Sequence, residues 1–199
     1  MSVSVINYHG AMSRWPSNPR GRLQEAAMEL FAEHGYDQTT VAGIAERAGL
    51  TERTFFRHFS DKREVLFSGG EELQAMMVEA LTAAPPEATP LGAVEAALSA
   101  VTAFFDERHP MSRARQVIID AHSELQEREC AKMGKIAEAL AEALRARGVP
   151  DPDARLTADA GIAVFRSAFA QWVRSDVGDM RTCIEECFAA LEKVIAQGR

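Results

Sequence analysis

Two cysteines four residues apart, Cys183 and Cys187, and a histidine flanked by carboxylates, His122 with Asp120 and Glu124, are of types that bind metals or move protons. Cys183 and Cys187 share one helical face, which permits a metal site or a redox pair. No further ligand lies near them in the chain, and free cysteine packs as a small hydrophobe, so they are expected in an interface core. No nucleophile or metal spacing accompanies His122, which leaves it as polar lining of a ligand pocket or as an exposed side chain. No catalytic residue, metal or cofactor is therefore expected. The chemistry concentrates instead in residues 40–62, TVAGIAERAGLTERTFFRHFSDK, where the pattern fits hydrogen bonding to DNA.

In that stretch Val41, Ile44, Ala45 and Ala48 fall at the i, i+3, i+4, i+7 spacing of one helical face. Gly49 supplies the left-handed residue that ends this helix, and Thr51 caps the next by accepting from a free backbone N–H. Leu50 and Phe55 stand where a hydrophobic staple fixes the entry angle. Two short helices joined by such a turn form a helix-turn-helix, whose second helix offers its N-terminal residues to base edges.

The elements that must position this pair come before and after it. Residues 1–18 carry no helical period, and Pro16 and Pro19 with Gly10 and Asn18 discourage regular structure, so a flexible arm is expected. Arg14, Arg20 and Arg22 could reach a phosphate or the minor groove, with a solvated tail as the plainer role for Arg14. Leu23, Ala27, Leu30 and Phe31 make a bracing helix that Gly35 stops, with His34 favourable at its C-terminal dipole and Tyr36 plugging a small core. Ser60 or Asp61 is expected to cap a long fourth helix reaching Leu81, with a soft point at Gly69–Gly70. A proline-rich linker, 82–90, follows.

Beyond the linker the spacing predicts a fifth helix from Leu91 to Arg108 ended by His109–Pro110. A sixth from about Met111 is largely buried through Val117, Ile118 and Ile119. A seventh ends at Gly148 with Met133, Ile136, Ala137, Leu140 and Leu144 inward. The eighth carries Leu156, Ala163, Phe165, Ala168, Phe169, Trp172 and Val173 over more than one side. The ninth, from Asp179 to Gln197, carries Cys183, Ile184, Cys187, Phe188, Leu191, Val194 and Ile195. Two final helices this apolar need another surface, which a second copy supplies as a four-helix bundle. Phe165, Phe169, Cys183, Cys187, Phe188 and Leu191 are the expected interface residues. Met76, Met77, Phe104, Phe105, Met111, His122, Phe165, Phe169 and Trp172 are the candidate lining of a cavity for an apolar or flat aromatic ligand, with plain core as the alternative.

The fold class is thus all-α, with about nine helices: an arm over 1–18, a helix-turn-helix head over 19–66 and a ligand-binding and dimerisation body over 67–199. Charge is divided the same way. Through Leu66 eight Lys and Arg balance eight Asp and Glu; beyond it fourteen face twenty-one, which accounts for the net charge of −7. A neutral head can grip phosphate if its cations share a face, whereas the acidic body would repel DNA. Three cysteines make a disulfide framework improbable, and no apolar run is long enough to span a membrane, so a cytoplasmic protein is expected.

The stretch FAEHGYDQTTVAGIAERAGLTERTFFRHFSDKREVL resembles the tetracycline-repressor (TetR) family of transcription regulators. The spacings Phe31–Gly35–Tyr36, Thr40–Val41–Ile44–Ala45–Ala48–Gly49 and Thr54–Phe55–Phe56–His58–Phe59–Lys62 carry the likeness. Residues 120–191 are also similar to C-terminal domains near the mycofactocin-type branch. The resemblance implies that Thr40 contacts phosphate through its hydroxyl and helix N-terminus. Glu52, Arg53 and Thr54 face base edges behind the Thr51 cap, with Arg53 on guanine and Glu52 either on cytosine or orienting Arg53. Arg57, His58 and Lys62 contact phosphates, and Arg22 supports them. At Phe56 the family usually has a tyrosine whose hydroxyl reaches phosphate; here Arg57 could compensate, or Phe56 could touch a thymine methyl. The implied function is a homodimeric repressor on a pseudo-palindromic double-stranded operator, released by a small effector. An effector-independent DNA-binding factor and an all-helical enzyme are the other classes open to the sequence.

Overall fold

The computed structural model describes residues 18–105, 108–175 and 179–197. The chain divides into two compact units at Ser68/Gly69. Of the expected arm over 1–18, all but Asn18 lies outside the described residues, Arg14 included.

The first unit holds α1 (Pro19–His34), α2 (Val41–Arg47), α3 (Glu52–His58) and α4 (Lys62–Phe67). Asn18 caps α1 by accepting from the Gly21 N–H, and Pro19 stands where a helix has no use for an N–H. Leu23, Ala27, Leu30 and Phe31 are buried with Ile44, Ala45, Phe55, Phe59 and Leu66, and the Tyr36 ring tilts against Phe31 at 5.2 Å. Arg47 ties α2 to α1 by pairing with Glu33 at 2.6 Å and Glu29 at 3.1 Å.

The expected long helix from Asp61 to Leu81 is two helices. Asp61 caps α4 by accepting from the Glu64 N–H, but Ser68 is non-helical and Gly69 has φ +90°. A left-handed residue cannot continue the i→i−4 ladder, so a fresh helix, α5 (Gly70–Ala83), starts there.

The second unit continues with α6 (Pro90–Ala100), α7 (Thr102–Phe105), α8 (His109–Asp120), α9 (Ser123–Ala146), α10 (Asp153–Arg174) and α11 (Met180–Gln197). Helix α10 is central and packs on α6, α8, α9 and α11, while α5 packs on α6 and α9. Arg147 holds the proline-rich linker by donating to the carbonyls of Ala84 at 2.7 Å and Pro85 at 2.6 Å. Joining α4 to α5 and α6 to α7 recovers the nine expected helices among the described residues.

Three further expectations are corrected. The fifth helix breaks at Val101, where Thr102 Oγ1 donates to the Ser99 carbonyl and accepts from Arg181. His109–Pro110 opens α8, because proline is suited to a helix's first turn. On α8 only Ile119 is fully buried; Ile118 is half-buried and Val117 is 66% exposed, since three consecutive residues span most of a helix's circumference.

Where α8 meets α9 a set of charges is largely withdrawn from solvent. Arg115 pairs with Glu129 at 2.6 Å, and Lys132 lies 3.4 Å from the same carboxylate. Burial pushes the Glu129 carboxyl up, but Arg115 and Lys132 outweigh it and hold it below the usual range. Burial, and then Arg115, push the Lys132 ammonium from 10.5 down to about 8 against the pull of Glu129. Between those two values the unfolded chain holds a proton that the folded chain has released, so this group makes stability rise with pH. Thermal unfolding of the wild type, compared with Lys132→Met, should show the difference climbing from pH 8 to 10.5; a flat difference would mean a solvated lysine.

Candidate nucleic-acid interface

The turn between α2 and α3 is built from local chemistry. Gly49 has φ +63°, and a Cβ there would lie 2.9 Å from Arg22 Nη2, because the Arg22 guanidinium donates to the Ala48 carbonyl at the end of α2. Thr51 Oγ1 accepts from the Thr54 N–H at 3.2 Å, which caps α3, and lies 3.1 Å from Thr54 Oγ1. Thr40 Oγ1 likewise accepts from the Gly43 N–H at 3.1 Å and retains its proton for donation. Phe55 faces inward, fully buried, with Phe56 set edge-on to it at 5.5 Å and Phe59 tilted at 5.4 Å.

With Phe55 inward, Glu52, Arg53, Phe56 and Arg57 are left exposed on α3. The other cations of the head are engaged. Arg20 donates to Ser68 Oγ and lies over the Phe59 ring, Arg22 holds Ala48, Arg47 holds α1, and Arg63 pairs with Asp61 at 2.8 Å. Among the described residues, no hydrogen bond or ion pair engages Arg53 or Arg57. Two guanidiniums on the outer face of the second helix can donate to base edges and phosphates.

Two residues with implied phosphate contacts are engaged or partly buried within the head. Lys62 Nζ donates to the carbonyls of Tyr36 at 2.8 Å and of Asp37 and Thr39 at 3.2 Å, and sits 4.3 Å from the Tyr36 ring centroid. An ammonium has three protons, and all three serve the loop between α1 and α2. His58 Nε2 is buried and has no hydrogen-bond partner among the described residues. Lys62→Met should cost the head about 1.5–3 kcal/mol, the scale of hydrogen bonds to a charged group, read as an earlier thermal transition. An unchanged transition with a shallower salt dependence of DNA binding would restore the phosphate role.

In the body, five of the expected pocket residues come together. Phe105 contacts Phe104, Phe165, Phe169 and Trp172 at centroid distances of 5.2, 6.0, 5.7 and 5.6 Å. His109, which the spacing had marked only as a helix end, sets its ring edge-on to Trp172 at 4.7 Å, with Nε2 2.9 Å from the Trp172 carbonyl. Met77 is buried in the same core and Met76 packs against it. Met111 lies outside this core, and His122 Nδ1 lies 2.7 Å from the Ile118 carbonyl at the joint between α8 and α9.

The expected dimer residues divide by burial. Phe165, Cys183 and Phe188 are buried within their own chain, whereas Phe169, Cys187 and Leu191 are half-buried. Burial raises both thiol pKa values, with Glu186 adding to the shift, which keeps Cys183 and Cys187 protonated and apolar. The outward apolar residues are instead Leu156 on α10, 64% exposed, and Val194 and Ile195 on α11, 67% and 50% exposed. Leu156 stands opposite the buried stripe of α10, whereas Val194 and Ile195 continue the stripe of Cys183, Ile184 and Phe188 and lie exposed at the C-terminal end of α11.

The comparisons with known proteins agree with this architecture. Residues 23–68 match the model of bacterial regulatory proteins of the tetR family, and residues 88–196 match that of the MftR C-terminal domain. The chain belongs to the TetR family. It is 38% identical over 98 residues to the HTH-type transcriptional regulator TcmR of Streptomyces glaucescens, covering 49% of this chain and 43% of TcmR. It therefore spans less than half the length of that relative. The regulator MftR of Mycobacterium tuberculosis is 25% identical over 194 residues, 96% of each chain. The structure of the transcriptional regulator FadR from Bacillus subtilis in complex with stearoyl-CoA has a TM-score of 0.60 and 21% identity, covering 85% of this chain and 96% of that one, which shows a shared fold. Among the described residues no group of three or more metal-ligating side chains is assembled, and no helix is long and apolar enough to cross a membrane.

Proposed function

We propose that this TetR-family protein is a ligand-responsive transcriptional repressor that binds a pseudo-palindromic operator as a homodimer in the cytoplasm. The observation that carries the DNA-binding part is the outer face of α3, where Arg53 and Arg57 alone among the head's lysines and arginines are left without a partner within the described residues. Glu52 and Thr54 stand beside Arg53 for base contacts, and Thr40 supplies a hydroxyl for phosphate. The exposed Leu156, Val194 and Ile195 on the last two helices support pairing with a second copy. Two heads in successive major grooves require recognition helices about 34–36 Å apart.

The aromatic cluster around Phe105, with Phe104 and Phe169 at its half-buried edge, supports an apolar or aromatic effector. Such a ligand lowers operator affinity by binding better to a dimer with altered spacing. The ring-on-ring packing of the same residues favours a second reading, a DNA-binding factor without an effector. Genome-wide footprinting tests the first part and should return inverted-repeat sites; the absence of any protected site would refute it. Stearoyl-CoA, present in the FadR complex, and a panel of flat aromatic compounds then test release from the recovered site. No release and no thermal stabilisation by any of them would favour the effector-independent reading.

A further inference from the structure

Phe56 is 55% exposed on a face that otherwise carries only charge, with Arg53 three residues before it, Arg57 next to it and Glu52 four residues before. Its ring is held edge-on against the fully buried Phe55, so it projects from the helix in a defined direction. A phenyl ring has no hydrogen bond to offer, and covering a base's amino or carbonyl group with it would leave that group unsatisfied. The major-groove edges of the four bases carry one apolar substituent, the C5-methyl of thymine. The flanking guanidiniums match the phosphates and acceptor edges on either side of such a methyl, which matches this face to DNA in charge as well as in polarity.

We infer that Phe56 is a specificity-determining residue that covers one thymine methyl in each operator half-site, next to the base pair contacted by Arg53. This rests on the DNA-binding reading above. A cytosine at that position lacks the methyl and presents an N4 amino donor that the ring cannot pair, so the ring selects for thymine and against cytosine together.

The test uses the full-length protein and the footprinted operator, with each thymine replaced in turn by uracil, which removes only the methyl. At one position per half-site the wild type should lose on the order of fourfold in affinity, the scale of one buried methyl group, and about fifteenfold when both half-sites are changed. Phe56→Ala should bind the thymine and uracil operators equally at that position, closing a double-mutant cycle. If no uracil substitution weakens the wild type, or if the loss persists undiminished in Phe56→Ala, the methyl contact is overturned while DNA binding stands. Neutral uracil operators together with a loss of DNA bending in Phe56→Ala would instead mark the ring as a wedge between base steps. Failure to bind any operator would refute the DNA-binding reading itself.

Discussion

Arg53→Ala combined with Arg57→Ala should abolish sequence-specific binding to the operator while leaving the protein folded. Both guanidiniums are exposed and hold nothing within the described residues, so thermal stability should change by about 0.5 kcal/mol or less. Their losses are distinguishable. An arginine bidentate to guanine contributes about 1–3 kcal/mol of discrimination, and a dimer contains two, so Arg53→Ala alone should cost on the order of a hundredfold or more on the operator and little on random DNA. A phosphate contact follows counterion release, so Arg57→Ala should reduce the slope of log affinity against log salt by about 2 for the dimer and weaken all sequences alike. Fluorescence anisotropy across a salt series reads both. Unaltered operator affinity in the double variant would remove α3 from the interface.

Gly161→Leu should unfold the body or bring it close to unfolding. Gly161 lies in α10 where that helix crosses α6, and even a methyl built on it would sit inside van der Waals contact with Val94 Cγ1. Val94 cannot move aside, because it is fully buried, stiff about χ1 and flanked by the fully buried Ala93, Ala97 and Leu98. Overpacking of this kind costs at least ~3 kcal/mol for a leucine, a large part of the ~5–15 kcal/mol that holds a typical domain. Gly161→Ala is milder, since a gain of ~1 kcal/mol in helix propensity offsets part of the clash. Val94→Ala with Gly161→Ala should be more stable than the sum of the two single losses, because the new methyl enters the space the valine vacates. Calorimetry would show it; simple additivity would mean that the helices separate freely.

The head was legible from sequence because its signals are local. The Gly49 turn, the Thr51 and Asp61 caps and the inward stripe of Leu23, Ala27, Leu30 and Phe31 each depend on residues a few positions apart, and a helix-turn-helix is little more than such pieces in order. Tertiary partners decided the rest. Lys62 reads as a surface cation until the carbonyls of Tyr36, Asp37 and Thr39, more than twenty residues away, are seen to take its protons. Arg22 reads the same way until it is found on Ala48.

In the body the apolar periodicity identified which helices exist, since a buried stripe repeats every turn whatever it packs against. It did not say which of several apolar faces meets the chain's own core. Phe165, Cys183 and Phe188 are interior, and Leu156 is outward because α10 is enclosed by α6, α8, α9 and α11 along one part of its circumference only; Val194 and Ile195 share the face of Cys183 and Phe188 but lie exposed in the last turns of α11. Gly161 carries no local mark of its importance, as an isolated helical glycine usually signals only lost stability; its value lies in how closely Val94 approaches. By itself, then, the sequence determined an all-helical chain with a DNA-reading turn, because caps, turns and stripes act over short separations. The tertiary structure alone separated the cations that hold the fold from those left exposed on α3, because only contacts between distant segments show which donors are already used.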